Sequence, residues 1–220
     1  MVEEKTEKLI KPDFRILKSG TVEFMLTEEI LEQQTERAKN RLLNINGTIE
    51  RHMNSKTYNT KEDPVMNNLV GIMGEFISSI YFPNIVLQDE KKHDFINPKT
   101  NKKIEIKTKA QSFDKDPRLA TTQKGELYEA SISEYNKDYQ LDDGGYYVFC
   151  RVCKSRETKT LTKAWLIGYM DRDEYIGHEK TRFISGGTVD GSNKTIISRN
   201  SYNLAYKYLK TVPKRKPTYV

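Results

Sequence analysis

The sequence predicts an α/β fold in which a central mixed β-sheet is flanked by helices. Three observations carry that expectation. Leu69, Ile72, Met73, Phe76, Ile77 and Ile80 recur at helical spacing. Lys91 to Lys107 alternates apolar and polar residues on both sides of a breaker-rich turn. Tyr146 to Val152 and Ala164 to Met170 are rich in β-branched and aromatic residues, as strands are. Helices, three strands, a helix and two strands in that order favour one mixed sheet taking helices against it.

Taken in chain order, residues 1–20 read as an irregular arm or a short edge strand. Thr27 is placed to cap a helix whose first turn carries Glu28 and Glu29. Ile30, Leu31, Ala38, Leu42, Leu43, Ile45 and Ile49 form its partial stripe, so it extends to about Asn54 with a break between Asn44 and Gly47. Residues 54–64 form a loop. A second helix spans about Val65 to Tyr81, stopped by Pro83, with Gly71, Glu75, Ser78 and Ser79 beside its core stripe. Ile85 to Leu87 is read as a short buried strand leading into the hairpin. After Lys107, Thr108 to Glu126 reads as polar and irregular, and Ser131 to Leu141 as a helix carrying Tyr135 and Tyr139. Asp142 to Gly145 is a turn, Cys153 to Lys163 a loop, and Asp171 to Tyr175 the start of a short helix.

A chain of 220 residues is long enough for one domain with a sizeable core. Thirteen Tyr and eight Phe argue against wholesale disorder. No run of eighteen apolar residues occurs, so no transmembrane helix is expected. The start, Met1-Val2-Glu3-Glu4-Lys5, is acidic rather than signal-like, which gives a cytoplasmic expectation. A net charge of +6 is a modest lean toward a polyanionic partner. Cys150 and Cys153 give no disulfide framework, and their C-x-x-C spacing has neither a second pair nor a thioredoxin-like unit around it.

The hairpin is the chemical centre of the chain. Pairing Asn97 with Lys102 closes a four-residue loop, Pro98-Lys99-Thr100-Asn101, a common hairpin length. That register sets Phe95 opposite Ile104 and Asp94 opposite Glu105. Side chains alternate along a strand, so Phe95, Ile104 and Ile106 share one face while Asp94, Glu105 and Lys107 share the other. Two carboxylates and an ammonium then converge on a patch suited to a divalent metal and a phosphate. The competing reading of such a hairpin is an ordinary solvated charged face.

Asp94, ten intervening residues and then Glu105-Ile106-Lys107 on an apolar strand resembles the PD-(D/E)xK nuclease superfamily. Gly74-Glu75 on the preceding helix matches a Gly-Glu pair that many members carry, and His93 stands where the name motif has Pro. The resemblance covers about residues 65–155. It implies a single nuclease-like domain with a restriction-endonuclease-like core, an N-terminal helical extension and a basic C-terminal tail containing Lys214-Arg215-Lys216. It further implies that Asp94 and Glu105 bind Mg²⁺ directly, with Mn²⁺ as a substitute. The Ile106 carbonyl completes the shell, Glu75 binds metal directly or through water, and Lys107 positions the attacking water. Gln111 resembles a polar residue that some members use nearby. The implied activity is hydrolysis of DNA phosphodiester bonds without a covalent intermediate. Small size and the lack of an obvious second recognition domain lean toward an endonuclease of restriction or phage type, with a homodimer admitted.

Lys109, Lys115, Arg118 and Lys124 follow the hairpin and are candidate phosphate contacts that would carry little sequence information. His93 should point away from the site, since its neighbour Asp94 faces it. Of Tyr146 and Tyr147, strand alternation puts at least one in the core. Two other classes stay open on sequence alone: a non-catalytic nucleic-acid-binding protein on the same fold, and a structural or interaction module.

Overall fold

The computed structural model describes residues 10–44, 64–88, 93–122, 125–135, 141, 144–187 and 199–214. Its main element is a seven-stranded mixed sheet with helices packed on it. Strands β1 (Phe14–Ile16) and β2 (Val22–Met25) precede helices α1 (Glu28–Asn44) and α2 (Pro64–Tyr81). Then come β3 (Val86–Leu87), β4 (Phe95–Asn97), β5 (Lys102–Gln111) and β6 (Glu129–Ser133). Strands β7 (Tyr146–Lys154) and β8 (Leu161–Asp171), helix α3 (Arg172–Gly177), and strands β9 (Arg182–Ile184) and β10 (Ser201–Ala205) follow, with a 3₁₀ turn at Tyr206–Tyr208. The large sheet runs β1-β2-β8-β7-β5-β4-β3, and a small sheet runs β6-β10-β9. Strands β5 and β7 pair in parallel, and the other pairings among the described strands are antiparallel.

Two apolar layers cover the two faces of the large sheet. On the helix side, Leu69, Ile72, Met73, Phe76 and Ile77 of α2 pack with Ile30 and Ala38 of α1 on Ile104, Ile106, Val148 and Cys150. On the other side, Tyr147, Phe149, Trp165 and Ile167 pack with Tyr175, Leu204 and Tyr206. Alternation along β7 separates the two sets, because successive side chains point to opposite faces. Cys150 and Cys153 consequently fall in different layers, and neither forms a disulfide. Burial pushes the Cys150 thiol up to about 12, so it is no ready nucleophile or metal ligand.

Helix α2 and the hairpin follow the sequence pattern closely. The observed register is Phe95↔Ile104, Ile96↔Lys103 and Asn97↔Lys102. Asn101 takes the positive φ of 52° that closes the turn, a conformation Asn tolerates. The Thr27 hydroxyl accepts the Ile30 N–H at 3.3 Å, as a helix cap should.

Other regions differ from the sequence reading. The N-terminal part is more than a helical extension: β1 and β2 form a hairpin whose β2 pairs with β8, so the sheet reaches well outside residues 65–155. Strand β5 runs to Gln111, where an irregular segment was expected. Residues 131–133 are strand, not helix, because β6 finds its partner in β10, far along the chain. Strands β7 and β8 extend into the expected loop and leave a short connection, residues 155–160. Strand β3 is an edge with Val86 49% exposed, not a buried strand. Ile45 and Ile49, along with the expected helix continuation to about Asn54, lie outside the described residues.

Candidate functional site

A close approach of helix to sheet builds the site. A Cβ on Gly74 would sit far inside van der Waals contact with the Thr108 hydroxyl of β5. Glycine alone lets α2 cross β5 at that distance. The next residue, Glu75, is thereby held beside the strand, only 6% exposed.

Asp94 stands where β4 parts from β5. Ladder pairing ends at Phe95↔Ile104, and the Ile106 N–H goes to the Asp94 side chain instead, at 2.7 Å to Oδ2. The Asp94 carbonyl accepts the Gln88 N–H at 2.9 Å, so backbone and side chain are both anchored. In an extended strand the N–H and C=O of one residue point to the same side. The Ile106 carbonyl is therefore aimed toward Asp94.

Glu105 lies on the opposite face of β5 from Ile104 and Ile106, and is 4% exposed. Its Oε1 accepts the Lys107 ammonium at 2.9 Å. Its Oε2 is buried and makes no hydrogen bond. A buried lone-pair oxygen of this kind costs about 1–3 kcal/mol unless something else satisfies it.

The electrostatics match the geometry. Burial, followed by the charges of Glu105 and Glu75, raises the Asp94 carboxyl from 3.8 to about 7. Burial also raises Glu105, against the pull of the Lys107 ammonium; the Glu75 charge adds to the rise and the Asp94 backbone N–H opposes it. Three acidic groups thus sense one another at the point where the sheet edge opens, and a cation there would relieve the repulsion.

Glu75, expected to bind metal directly or through water, keeps a buried Oε2 without a hydrogen bond, as Glu105 does, but it also meets two arginines. Arg41 Nη1 donates to its Oε1 at 2.6 Å, and Arg37 Nη2 lies 3.6 Å from Oε2. Among the described residues no three His, Cys, Asp or Glu side chains assemble into a metal cage. The residues that could hold a divalent ion are Asp94 and Glu105 with the Ile106 carbonyl, two carboxylates and one backbone oxygen. An all-oxygen set of this size suits Mg²⁺, which binds through one or two carboxylates and keeps waters and substrate phosphates for the rest.

The cations expected to line a groove diverge. Lys115 is exposed. Lys109 keeps solvent access, yet crowding of its ammonium and the charge of Arg151, its register partner on β7, lower its pKa to about 8. Arg118 is not a phosphate contact. It is 8% exposed, and its guanidinium donates to the carbonyls of Ile167, Lys207 and Leu209, tying β8 to the C-terminal segment. Gly168 makes room for that crossing, since a Cβ there would lie 2.5 Å from the Lys210 carbonyl. Lys124, Arg215 and Lys216 lie outside the described residues. Gln111 ends β5, is buried, and donates to the carbonyls of Phe113 and Lys115 at 2.9 and 3.1 Å. His93 is buried, and Tyr147 is fully so, in the layer away from the helices.

Arg37 and Arg41 were not singled out from the sequence. Their one-turn spacing on α1 was the available signal, and only the packing of α1 on α2 shows which carboxylate they meet. No family model, curated protein or solved structure matches the chain.

Proposed function

We propose that the chain is a metal-dependent DNA nuclease, an endonuclease with a restriction-endonuclease-like core of the PD-(D/E)xK type. It would bind Mg²⁺, or Mn²⁺ in its place, at Asp94, Glu105 and the Ile106 carbonyl. The observation that carries the reading is the hairpin register. It delivers Asp94, Glu105 and Lys107 to one opening of the sheet and leaves a buried Glu105 oxygen without a partner. A cytoplasmic location and a homodimer acting on both strands of a duplex belong to the same reading.

Bound there, the metal would supply charge neutralisation at the phosphate and a more acidic water. The chain's own groups do the rest. Asp94 is held by the Ile106 N–H with one oxygen left to face the opening. Glu105 holds the Lys107 ammonium in place. Lys107, its side chain 17% exposed, can turn a proton toward an attacking water or the oxyanion that builds on phosphorus. Glu75 stays with its arginines and shapes the field from behind.

Incubation of supercoiled plasmid with the protein and Mg²⁺ tests the proposal. Nicking or linearisation that disappears in Glu105→Ala and in Lys107→Ala supports it. Binding without cleavage under both Mg²⁺ and Mn²⁺ would favour a non-catalytic nucleic-acid-binding protein. Neither binding nor cleavage on duplex, single-stranded or branched DNA would leave an interaction module.

A further inference from the structure

Helix α1 brings two guanidiniums to a carboxylate that the candidate site already contains. Arg37 and Arg41 lie one turn apart and reach the same Glu75 across the α1–α2 contact. The acid is the inner partner and the bases are the outer ones: side-chain exposure is 7% for Glu75, 38% for Arg37 and 43% for Arg41. Two guanidiniums thus converge on one carboxylate. At 3.6 Å the Arg37 contact is an ion pair and not a hydrogen bond, and the Arg37 guanidinium makes no hydrogen bond with any described residue. Its planar fork of donors is open to a ligand.

We propose that Arg37 and Arg41 form a phosphate clamp at the rim of the site. They would contact the sugar-phosphate backbone of the nucleic acid, with Glu75 as the positioning carboxylate that holds both forks. This rests on the nuclease reading and adds a place where the substrate's backbone is held: the rim formed by α1. Guanidinium suits the task because its donors match phosphate oxygens two at a time, which an ammonium cannot do. The Glu75 charge is felt at both Asp94 and Glu105, so the clamp and the carboxylate pair share one electrostatic neighbourhood. Glu75 then links the two halves. Its own charge keeps the arginines oriented, and its burial keeps it from competing with phosphate at the surface.

A purely structural role for the arginines, neutralising a buried glutamate, makes a different prediction. The test is fluorescence anisotropy with a labelled duplex oligonucleotide in EDTA over a salt series, alongside thermal melts. Arg37→Ala/Arg41→Ala should melt lower and bind more weakly. Adding Glu75→Gln should bring the melting temperature back, since no buried charge is then unpaired, but should not bring back affinity. The slope of log affinity against log salt should be shallower than wild type by roughly 2, close to one unit per lost phosphate contact. Arg37→Ala alone covers the case in which the triple variant fails to fold. It should melt like wild type and lose affinity with a slope shallower by about 1. Wild-type affinity and slope in the triple variant, or in Arg37→Ala, would overturn the clamp while leaving the nuclease reading intact. Absence of wild-type binding in EDTA would overturn the clamp alone, whereas absence of both binding and cleavage with Mg²⁺ on duplex, single-stranded or branched DNA would overturn the nuclease reading and the clamp with it.

Discussion

Glu23 and Glu105 are both 4% exposed, sit on strands of the same sheet and carry the same group, yet they are treated in opposite ways. Glu23 is satisfied at both oxygens: Arg15 reaches Oε1 at 2.8 and 2.6 Å, and the Trp165 indole N–H reaches Oε2 at 3.0 Å. Glu105 has Lys107 on one oxygen and no hydrogen bond on the other, with the Asp94 N–H and two more carboxylates within electrostatic reach. Burial alone does not mark a functional acid. An incomplete set of partners does, because a fold gains nothing from leaving a buried oxygen unmatched.

Exchanging each acid for its amide puts that contrast to the test. The largest expected effect is on catalysis: Glu105→Gln should slow plasmid cleavage by about 10²-fold or more, a loss typical of removing a group that stabilises the transition state. The same change should leave the melting temperature of the metal-free protein level or raised. Glu23→Gln should do the reverse, costing about 1–3 kcal/mol in denaturant melts while the folded fraction keeps its cleavage rate. If the two variants lose stability alike, the contrast is wrong.

Next in size is packing. Gly74→Ala would force α2 away from Thr108, with an expected cost of roughly 1–3 kcal/mol. Cleavage per folded molecule should fall too, since Glu75 and its arginines move with the helix. A similar cost of about 1–3 kcal/mol is expected for Arg118→Ala, which strands three carbonyls, but with cleavage per folded molecule intact.

A smaller effect is the pH dependence. The Asp94 carboxyl is raised in the fold from 3.8 to about 7, so its protonated form is the favoured one. Stability from this group is full below the ordinary value and is lost as pH climbs through the folded value. Melts in EDTA should therefore decline between about pH 4 and pH 7, and Asp94→Asn should flatten that decline. Mg²⁺ should raise the melting temperature more at pH 8 than at pH 5, because it binds the ionised carboxylates. The smallest effect belongs to Lys115→Ala: stability within about 0.5 kcal/mol of wild type, and a salt slope shallower by about 0.9 if the side chain meets a phosphate.

The hairpin was legible because everything that sets its register is local. Breakers occupy the turn, and one alternating pattern serves both strands, so Asp94, Glu105 and Lys107 could be placed from spacing. Helix α2 was legible for the same reason. What could not be read was pairing at long range. Residues 131–133 look helical beside Tyr135 until β10 arrives from residues 201–205. Strand β2 is four residues whose second partner, beyond β1, lies on β8. Arg118 carries no mark in the sequence that separates a surface cation from one enclosed by β8 and the C-terminal segment. Arg37 and Arg41 sit at a visible spacing, but the packing of α1 on α2 decides what they face.

The ties around Arg118 also bear on how the fold is reached. The Arg118–Leu209 bond spans 91 residues, and the Tyr81 hydroxyl donates to the Pro213 carbonyl across 132. Closing loops of that length is an entropic toll met late, after local hairpins and helices have formed. The Asp94–Ile106 contact, by contrast, spans 12 residues. The hairpin can therefore assemble early on a chain whose last segment has still to dock. Folding order, as well as final geometry, separates the part that would do chemistry from the part that fastens it.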